Sequence, residues 1–351
     1  MKKHRNRKAF TIVELVIVIA VIAILATVLI PTFGDVISKA NDSKAMQEAK
    51  NAYTEYIIEQ NGTAAEYMVY DADGRFVALH SGAAVGVYDN TDAAVAALVE
   101  DPGQYLAIKL LTEGMYFVMD MSDYLGKKIA CIGDSVTYGV GANPDPNYVA
   151  NLGTVLNSAV VNLGTSGTSL CAGGSRTCQF RKLNATDLQG AEIVTIYLGV
   201  NDWAAAGNHA NGQAYYALGT PDSTDTSTIY GAMKMWCDKI EELKGTEEYK
   251  NTRFFFITPH LTSWVDDKGT RDWDQNKSNK HGHTQKDMSD AIKAVCGQYG
   301  IPVIDMFDFT CKLYDRDPAK YLRDYAGDGV HPTAACHKLM TDYILTQFAV
   351  E

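Results

Sequence analysis

The sequence predicts an α/β fold with a parallel sheet for residues 127–351, preceded by a long amino-terminal helix and a small α+β module. From Lys128 onward, short apolar runs alternate with stretches of helical period, which is the pattern of a parallel sheet with helices on both faces. Before them, a basic segment leads into a long apolar run, and then into a stretch with hairpin and short-helix patterns.

The length and composition of the chain limit which functions are possible. At 351 residues the chain is long enough for two domains, each with its own core. The net charge is −11 although five basic residues lie within the first eight positions, so the rest of the chain is strongly acidic and nucleic acid is an unsuitable partner. The seven cysteines include no CxxC pair, so neither a zinc ribbon nor a thioredoxin-type site is predicted. We expect buried thiols, with a small loop closed by Cys171 and Cys178 as the alternative.

The amino terminus is predicted to be a basic leader, residues 1–9, followed by a transmembrane helix, residues 10–31. Leu15 to Ile30 contains a single polar residue, and the apolar stretch from Phe10 is about long enough to cross a ~30 Å hydrocarbon core. Basic residues on its amino side predict a single-pass protein with its carboxyl-terminal bulk outside the cell membrane. The residues after the apolar run make a poor signal-peptidase site, so we expect the helix to be retained.

The segment Lys8-Ala-Phe-Thr-Ile-Val-Glu14 and the apolar run after it resemble the leader of type IV pilins and pseudopilins. The resemblance implies that a prepilin peptidase cuts between Ala9 and Phe10, with Ala9 standing where the family usually has Gly. It also implies that Glu14 pairs with the amino terminus of a neighbouring pilin or pseudopilin subunit in a surface pilus or pseudopilus. A carboxylate in a membrane is costly unless it is paired, so Glu14 is a predicted functional residue on physical grounds too. An uncleaved anchor is the alternative.

Residues 32–126 are predicted to form a small α+β module. Asp73-Gly74 lies between two alternating runs and is a hairpin signal. A long amino-terminal helix on a small antiparallel sheet is also what the pilin resemblance implies. We find no catalytic constellation before residue 128. The predicted elements are a helix over 41–60, strands over 67–70 and 75–79, a helix over 92–99 capped by Thr91, and strands over 104–110 and 115–119.

In residues 127–351, polar side chains and glycines follow each of the first three predicted strands. Because the carboxyl ends of parallel strands meet at one edge of the sheet, Ser135, Gly167 and Asn201 are expected to lie close together. The predicted strands are 128–132, 159–163, 193–198, 253–257 and 302–306, with a helix over 285–299 and a closing helix after Pro332.

A serine hydroxyl at this edge needs a base to become a nucleophile. Of the eight histidines, only His331 has an aspartate three residues earlier, Asp328. In a tight turn that spacing lets the carboxylate accept from one ring nitrogen and leaves the other for the serine proton. The competing base is His260, which follows the fourth predicted strand but has no such aspartate.

Four sequence blocks resemble those of the SGNH hydrolases, the GDSL lipase/esterase family, over residues 128–351. The resemblance implies a flavodoxin-like three-layer α/β/α sandwich and ester hydrolysis without a cofactor. It implies Ser135 as nucleophile, His331 as base and Asp328 as its orienting group, with Ser135, Gly167 and Asn201 as oxyanion donors. The blocks are Gly133-Asp-Ser135, Asn162-Leu-Gly-Thr-Ser-Gly167, Gly199-Val-Asn-Asp202 and Asp328-Gly-Val-His331.

The substrate contacts are less determined by the sequence. Asp134, Trp203 and His260 adjoin the predicted cleft and are candidate substrate contacts, although a core position suits Trp203 equally well. The connections over 204–227 and 261–284 are predicted lids, and they hold Trp264, Trp273 and Lys280-His-Gly-His283, a run expected to be a solvated loop rather than a metal site.

Polar and aromatic loops without a long apolar groove favour a short acyl group on a polar carrier, such as an acetylated sugar, over a lipid ester. The predicted function is therefore a cell-surface serine esterase acting on an acylated small molecule or polysaccharide. The alternative is a minor pilin or pseudopilin whose appended domain binds glycan without turnover or transfers acyl groups.

Overall fold

The computed structural model describes residues 12–59, 65–109, 114–173, 176–203, 216–265, 271–279 and 281–348. The chain divides into two compact units, the first made of residues 1–102 and 112–118 and the second of residues 103–111 and 119–351. The second unit thus takes up residues that precede the boundary predicted at residue 127, because Ile108, Met121 and Tyr124 are buried in its core.

The first unit combines one long helix with an antiparallel sheet. Its strands lie in the order β3-β2-β1-β5. The predicted hairpin is present, with Asp73 and Gly74 both at positive φ and the Gly74 N–H donating to Asp71 at 2.7 Å. The elements of the amino-terminal part are α1 (Ile12–Glu59), β1 (Tyr67–Ala72), β2 (Arg75–His80), β3 (Ala83–Tyr88), α2 (Thr91–Ala96), β4 (Tyr105–Lys109, in the second unit) and β5 (Met115–Asp120).

The helix α1 is continuous from Ile12 to Glu59, which confirms the predicted long amino-terminal helix and joins the stretches predicted over 10–31 and 41–60. Large apolar side chains between Ile12 and Ile37 are exposed, whereas Ala45, Ala49 and Tyr53 further along the helix are buried. Of the helices in the described residues, none combines the length and the apolar character needed to span a membrane. The predicted cleavage residues Ala9 and Phe10 lie outside the described residues.

The short helix α2 begins at Thr91, one residue earlier than predicted, and its cap is Asn90. The side chain of Asn90, rather than that of Thr91, accepts the N–H of Ala93 at 2.8 Å. Both residue types cap helices well, so local sequence alone did not decide between them.

The second unit is built on a five-stranded parallel sheet in the order β12-β9-β8-β6-β7. Its strands are β6 (Ile129–Gly133), β7 (Val160–Gly164), β8 (Ile193–Tyr197), β9 (Arg253–Ile257) and β12 (Val303–Ile304), with a separate pair β10 (Trp264–Val265) and β11 (Arg271–Asp272). Its helices are α3 (Ser135–Tyr138), α4 (Tyr148–Val155), α5 (Ala185–Leu188), α6 (Val200–Trp203), α7 (Ile229–Lys244), α8 (Gln285–Gln298), α9 (Met306–Arg316), α10 (Pro318–Lys320) and α11 (Ala334–Phe348), with a π-helical turn at Tyr321–Tyr325.

Two apolar clusters cover the two faces of this sheet. Along β6, Ala130 and Ile132 face a cluster shared with α7 and α8, whereas Ile129 and Cys131 face one shared with α4, α9 and α11. This alternation makes a three-layer α/β/α sandwich, which confirms the predicted fold class.

The strand order reverses beside the first strand, since β7 lies on one side of β6 and β8, β9 and β12 on the other. In open α/β sheets, ligands bind outside the carboxyl ends of the strands at such a switch point. The loops after β6 and β8 carry Ser135 and Asn201, so the topology brings both residues to this edge.

Candidate active site

Ser135 is the first residue of α3 and follows the end of β6 by two positions. The carboxylate of Asp134 caps the helix by accepting the N–H of Val136 at 3.0 Å. Gly133 leaves no space for a side chain, because Thr137 lies directly over its Cα. The turn is therefore tight, and Ser135 is held at the carboxyl edge of the sheet.

His331 connects Ser135 to Asp328. Its Nε2 atom lies 2.9 Å from Ser135 Oγ, and its Nδ1 atom lies 2.8 Å from Asp328 Oδ2. Since an ionised carboxylate can only accept, we assign the ring proton to Nδ1, which leaves the lone pair of Nε2 directed at the serine hydroxyl.

Asp328 is held by its own turn as well as by the imidazole. Its Oδ1 atom accepts the N–H groups of Val330 at 2.9 Å and His331 at 2.7 Å. Partial burial acts to raise the pKa of Asp328, but the hydrogen bonds from the His331 side chain and from these two N–H groups outweigh it and lower the pKa well below its usual range. The carboxylate stays ionised at neutral pH, as an orienting partner requires.

A second set of groups lies after β7 and β8. Gly167 has φ +78°, a conformation that favours glycine, and its carbonyl accepts from Arg176 Nη1 at 3.0 Å. The side-chain amide of Asn201 donates to the carbonyl of Thr168 at 2.9 Å, so the two loops are joined directly. An amide NH₂ group carries two N–H bonds, and only one of them is needed for this contact.

Asp202 is a structural determinant of this region that the sequence reasoning did not single out. Its buried carboxylate accepts the N–H groups of Leu170 at 2.8 Å and Cys171 at 2.9 Å. Burial raises the pKa of Asp202 to about 6. Its position directly after Asn201 was the available signal, because one short helix then carries both the amide and the group that fixes the facing loop.

The three candidate substrate contacts are all buried. Asp134 is 1% exposed, Trp203 lies in the apolar cluster under α7 and α8, and the ring of His260 bonds to Tyr197 and Val330 within the protein. Burial raises the pKa of Asp134 to about 7 and lowers the pKa of His260 to about 3. The structure therefore places all three side chains inside the protein, with Asp134 at the start of the serine helix and His260 bonded to the residue before His331.

Two of the predicted lid residues pack into the protein, whereas His281 is exposed as expected and residues 204–215 lie outside the described residues. Trp273 packs against Tyr314 and Tyr321, and His283 is buried, with its carbonyl accepting the indole N–H of Trp203 at 3.3 Å. Lys280 and the side chain of Trp264 lie outside the described residues. Over the described residues, no three His, Cys, Asp or Glu side chains are grouped so as to hold a metal ion.

This arrangement is suited to acyl chemistry. A hydroxyl, a basic nitrogen 2.9 Å away and a carboxylate on the other ring nitrogen form the relay that activates a serine nucleophile. Gly167 and Asn201 lie on the segments that follow the neighbouring strands β7 and β8, and the Asn201 amide bonds to the carbonyl of Thr168.

Solved structures similar to this chain cover about two thirds of it. One matches with a TM-score of 0.50 and 24% identity, covering 64% of this chain and 97% of its own, and it shows that the fold is shared. A protein from Lactobacillus plantarum matches with a TM-score of 0.48 and 22% identity, covering 63% and 96%. A catalytic mutant of an acetylxylan esterase from Geobacillus stearothermophilus matches with a TM-score of 0.43 and 19% identity, covering 65% and 96%. No curated protein sequence matches the chain.

Two family models match the sequence itself. Residues 4–30 match the prokaryotic N-terminal methylation motif, which is the type IV pilin leader. Residues 131–339, more than half of the chain, match the GDSL-like Lipase/Acylhydrolase family, so this chain belongs to that family and is an ester hydrolase.

Proposed function

We propose that this chain is a serine esterase that acts outside the cell, held at the surface by its pilin-like amino terminus, and that it removes short acyl groups from carbohydrate. The observation that carries the catalytic assignment is the single imidazole of His331, which contacts Ser135 Oγ at 2.9 Å and Asp328 at 2.8 Å. His260 instead bonds to Tyr197 and to the carbonyl of Val330, and His283 lies beside the side-chain amide of Asn279.

In the proposed reaction, Ser135 Oγ attacks the ester carbonyl carbon while His331 Nε2 takes the hydroxyl proton. The carbonyl π electrons move onto oxygen, and when the tetrahedral intermediate collapses the C–O bond to the carrier alcohol breaks. His331 returns its proton to that alcohol, which leaves an acyl-serine. Water then attacks the acyl carbon, again with His331 as base, and the carboxylic acid and the free serine are released.

The oxyanion of each intermediate is assigned to the N–H groups of Ser135 and Gly167 and to the amide of Asn201. One such donor typically lowers the barrier by roughly 3–4 kcal/mol. The left-handed conformation of Gly167 and the bond from Asn201 to Thr168 fix these loops before substrate arrives, so little reorganisation accompanies the reaction.

The proposed substrate carries its acyl group on a polar molecule, and we assign Tyr138 as the residue that contacts this carrier. Tyr138 is 63% exposed and stands three residues after Ser135 in α3, so both residues lie on one side of a single helical turn. An exposed aromatic ring offers a flat apolar surface with a polar tip, which suits the face of a sugar ring. The guanidinium of Arg176 donates to the carbonyl of Gly167 and brings a positive charge to the facing loop, which suits a polar carrier.

The proposed cellular location rests on the leader. The methylation motif over residues 4–30 supports cleavage between Ala9 and Phe10 by a prepilin peptidase. Glu14 would then contact a neighbouring subunit, and a single membrane pass would leave the esterase outside the cell.

The test of the catalytic assignment uses the full chain and a short-chain aryl ester. Ser135→Ala and His331→Ala should each lower kcat by about 10³-fold or more, because each removes a member of one relay. Matched controls are Ser158→Ala, whose hydroxyl bonds to the carbonyl of Leu156, and His80→Ala in the first unit, and both should keep wild-type kcat. Wild-type rates in either active-site variant would refute the assignment.

The substrate assignment needs a separate comparison. Acetylated xylo-oligosaccharides, a phospholipid and an aryl acetate should be offered to wild type and to Tyr138→Ala. We expect the variant to lose activity on the acetylated sugar while keeping it on the aryl acetate. Preference for the phospholipid would refute the carbohydrate assignment, and acylated sugar formed in the presence of a sugar acceptor would identify acyl transfer instead of hydrolysis.

A further inference from the structure

A buried histidine outside the proposed relay lies directly behind the loop that carries the base. His260 follows β9 and is buried, with its Nδ1 atom 2.7 Å from the hydroxyl of Tyr197, the last residue of β8. Its Nε2 atom lies 2.8 Å from the carbonyl oxygen of Val330. Both ring nitrogens are thus used within the protein.

The partners of His260 determine its tautomer. A carbonyl oxygen can only accept, so Nε2 must carry the proton that is donated to Val330. Nδ1 is then the acceptor, and the Tyr197 hydroxyl donates to it. Burial lowers the pKa of His260 to about 3, so the ring is neutral and keeps this single arrangement at any pH at which the enzyme would work.

The carbonyl that His260 holds belongs to the residue immediately before His331. The same strand-end segment makes further contacts with this turn: the N–H of Ser263 donates to the carbonyl of Gly329 at 2.8 Å, and the Ser263 hydroxyl donates to the same oxygen at 3.1 Å. Gly329 has φ +85°, so the turn has an unusual backbone that needs such support.

The supporting segment is itself fixed from the helix α8. Gln285 donates from Nε2 to the carbonyl of His260, and its Oε1 atom accepts the N–H of Thr262 at 3.2 Å. A chain of buried hydrogen bonds therefore runs from β8 and α8, through His260, to the backbone on which His331 stands.

We infer that His260 is a positioning residue for His331, with Tyr197 fixing its tautomer. The inference rests on the proposed function, in which His331 is the base. His260 does not touch the reacting atoms, and it acts by setting the backbone from which the imidazole of His331 reaches Ser135. Loss of this support would leave the relay chemically complete but misplaced, and a displacement of ~1 Å can lower a rate by about 100-fold.

The test compares His260→Ala, His260→Gln and Tyr197→Phe in the full chain with an aryl acetate. We expect His260→Ala to lower kcat by about 10–100-fold with little change in KM, because the acyl-binding groups stay in place. Glutamine can both donate to Val330 and accept from Tyr197, so His260→Gln should restore most of kcat. Tyr197→Phe should lower kcat by less than His260→Ala, and the double variant should be no worse than His260→Ala alone, since both act through one contact.

Tyr249→Phe is the matched control for the tyrosine substitution. Tyr249 is also buried, and its hydroxyl bonds to Gly190 and to the carbonyl of Ala185, away from the base loop. Its variant should lose thermal stability but keep wild-type kcat.

The outcomes separate the inference from the proposed function. Folded His260→Ala with wild-type kcat, or a His260→Gln variant as slow as His260→Ala, would overturn the positioning role even when Ser135→Ala is inactive. A Ser135→Ala variant with full activity would instead overturn the proposed function, and the positioning role with it. A kcat loss in His260→Ala that glutamine restores, beside an unaffected Tyr249→Phe, supports the inference.

Discussion

Replacing Asp134 with asparagine should change how the stability of this protein depends on pH. The carboxyl of Asp134 is 1% exposed, and one of its oxygens has no hydrogen-bond partner among the described residues. Burial disfavours its charged form and raises the pKa from 3.8 to about 7. Between pH 4 and pH 7 the folded state therefore keeps a proton that the unfolded state has already lost. The contribution of Asp134 to the free energy of unfolding is therefore greatest below pH 4 and is lost as the pH rises through 7.

The size of the effect follows from the two pKa values. Between pH 5 and pH 8 the unfolded carboxyl is ionised throughout, whereas the folded one must give up its proton, and this costs about 2–3 kcal/mol at 1.36 kcal/mol per pH unit. The group is buried, so solvent screening does not reduce this figure as it would at the surface. In a domain of this size the cost corresponds to a fall in Tm of roughly 5–10 °C.

The assay is thermal unfolding of wild type and Asp134→Asn at pH 5 and pH 8. Asparagine keeps the oxygen that accepts the Val136 N–H but does not titrate, so its Tm should fall by less than that of wild type. Asp202, whose pKa is raised to about 6, also lowers the stability of the folded state as the pH rises, and it is present in both proteins.

Asp187→Asn is the control, because hydrogen bonds from Lys182 and Asn184 lower the pKa of Asp187 and place its titration below this window. An identical Tm difference in wild type and Asp134→Asn would refute the reasoning.

Three further predictions concern the site and the leader. Asp328→Asn should lower kcat by about 10²–10⁴-fold in steady-state kinetics, because an amide facing Nδ1 favours the wrong tautomer of His331. The lower part of this range is expected, since the side chain of Asp328 is 56% exposed. Asn201→Ala should lower kcat by about 10²–10³-fold with a smaller change in KM, measured on the same ester. Mass spectrometry of the protein from its native host should find Phe10 at the amino terminus, and a retained Met1 would contradict processing at Ala9.

Much of the fold was predictable because its signals are local. The β6–β9 strands are apolar runs of five residues that lie within one residue of the predicted ranges, and the alternation of strands and helices determined a parallel sheet. The fifth strand is shorter than predicted, Val303–Ile304, because Asp305 caps α9 and draws the following residues into a helix. The strand β3 was missed, since Ala83–Tyr88 contains glycine and alanine and gains its structure from pairing with β2.

The residues of the candidate active site were likewise predictable where their signals are local, and not where tertiary packing decides. Ser135, His331 and Asp328 were predictable because strand ends and a three-residue spacing are visible in the sequence, and the topology then brings them into contact. His260 was predicted at the cleft because it follows a strand end, and tertiary packing turned it inward; for Trp203 the sequence left a cleft and a core position open, and the structure places it in the core. The side chain of a residue that follows a strand can point toward the core or toward solvent, and the packing of the neighbouring elements determines which.

The sequence by itself determined the family, the order of the elements, the residue types of the relay and the leader at the amino terminus, because each depends on near neighbours or on a pattern along the chain. Only the tertiary structure decided which buried groups support that relay. Asp202 bonds to Leu170 and Cys171, and His260 bonds to Tyr197 and Val330. These partners are 31 to 70 positions away along the chain. Hydrogen bonds across such separations form only once the sheet has brought the loops together, and no local spacing encodes them.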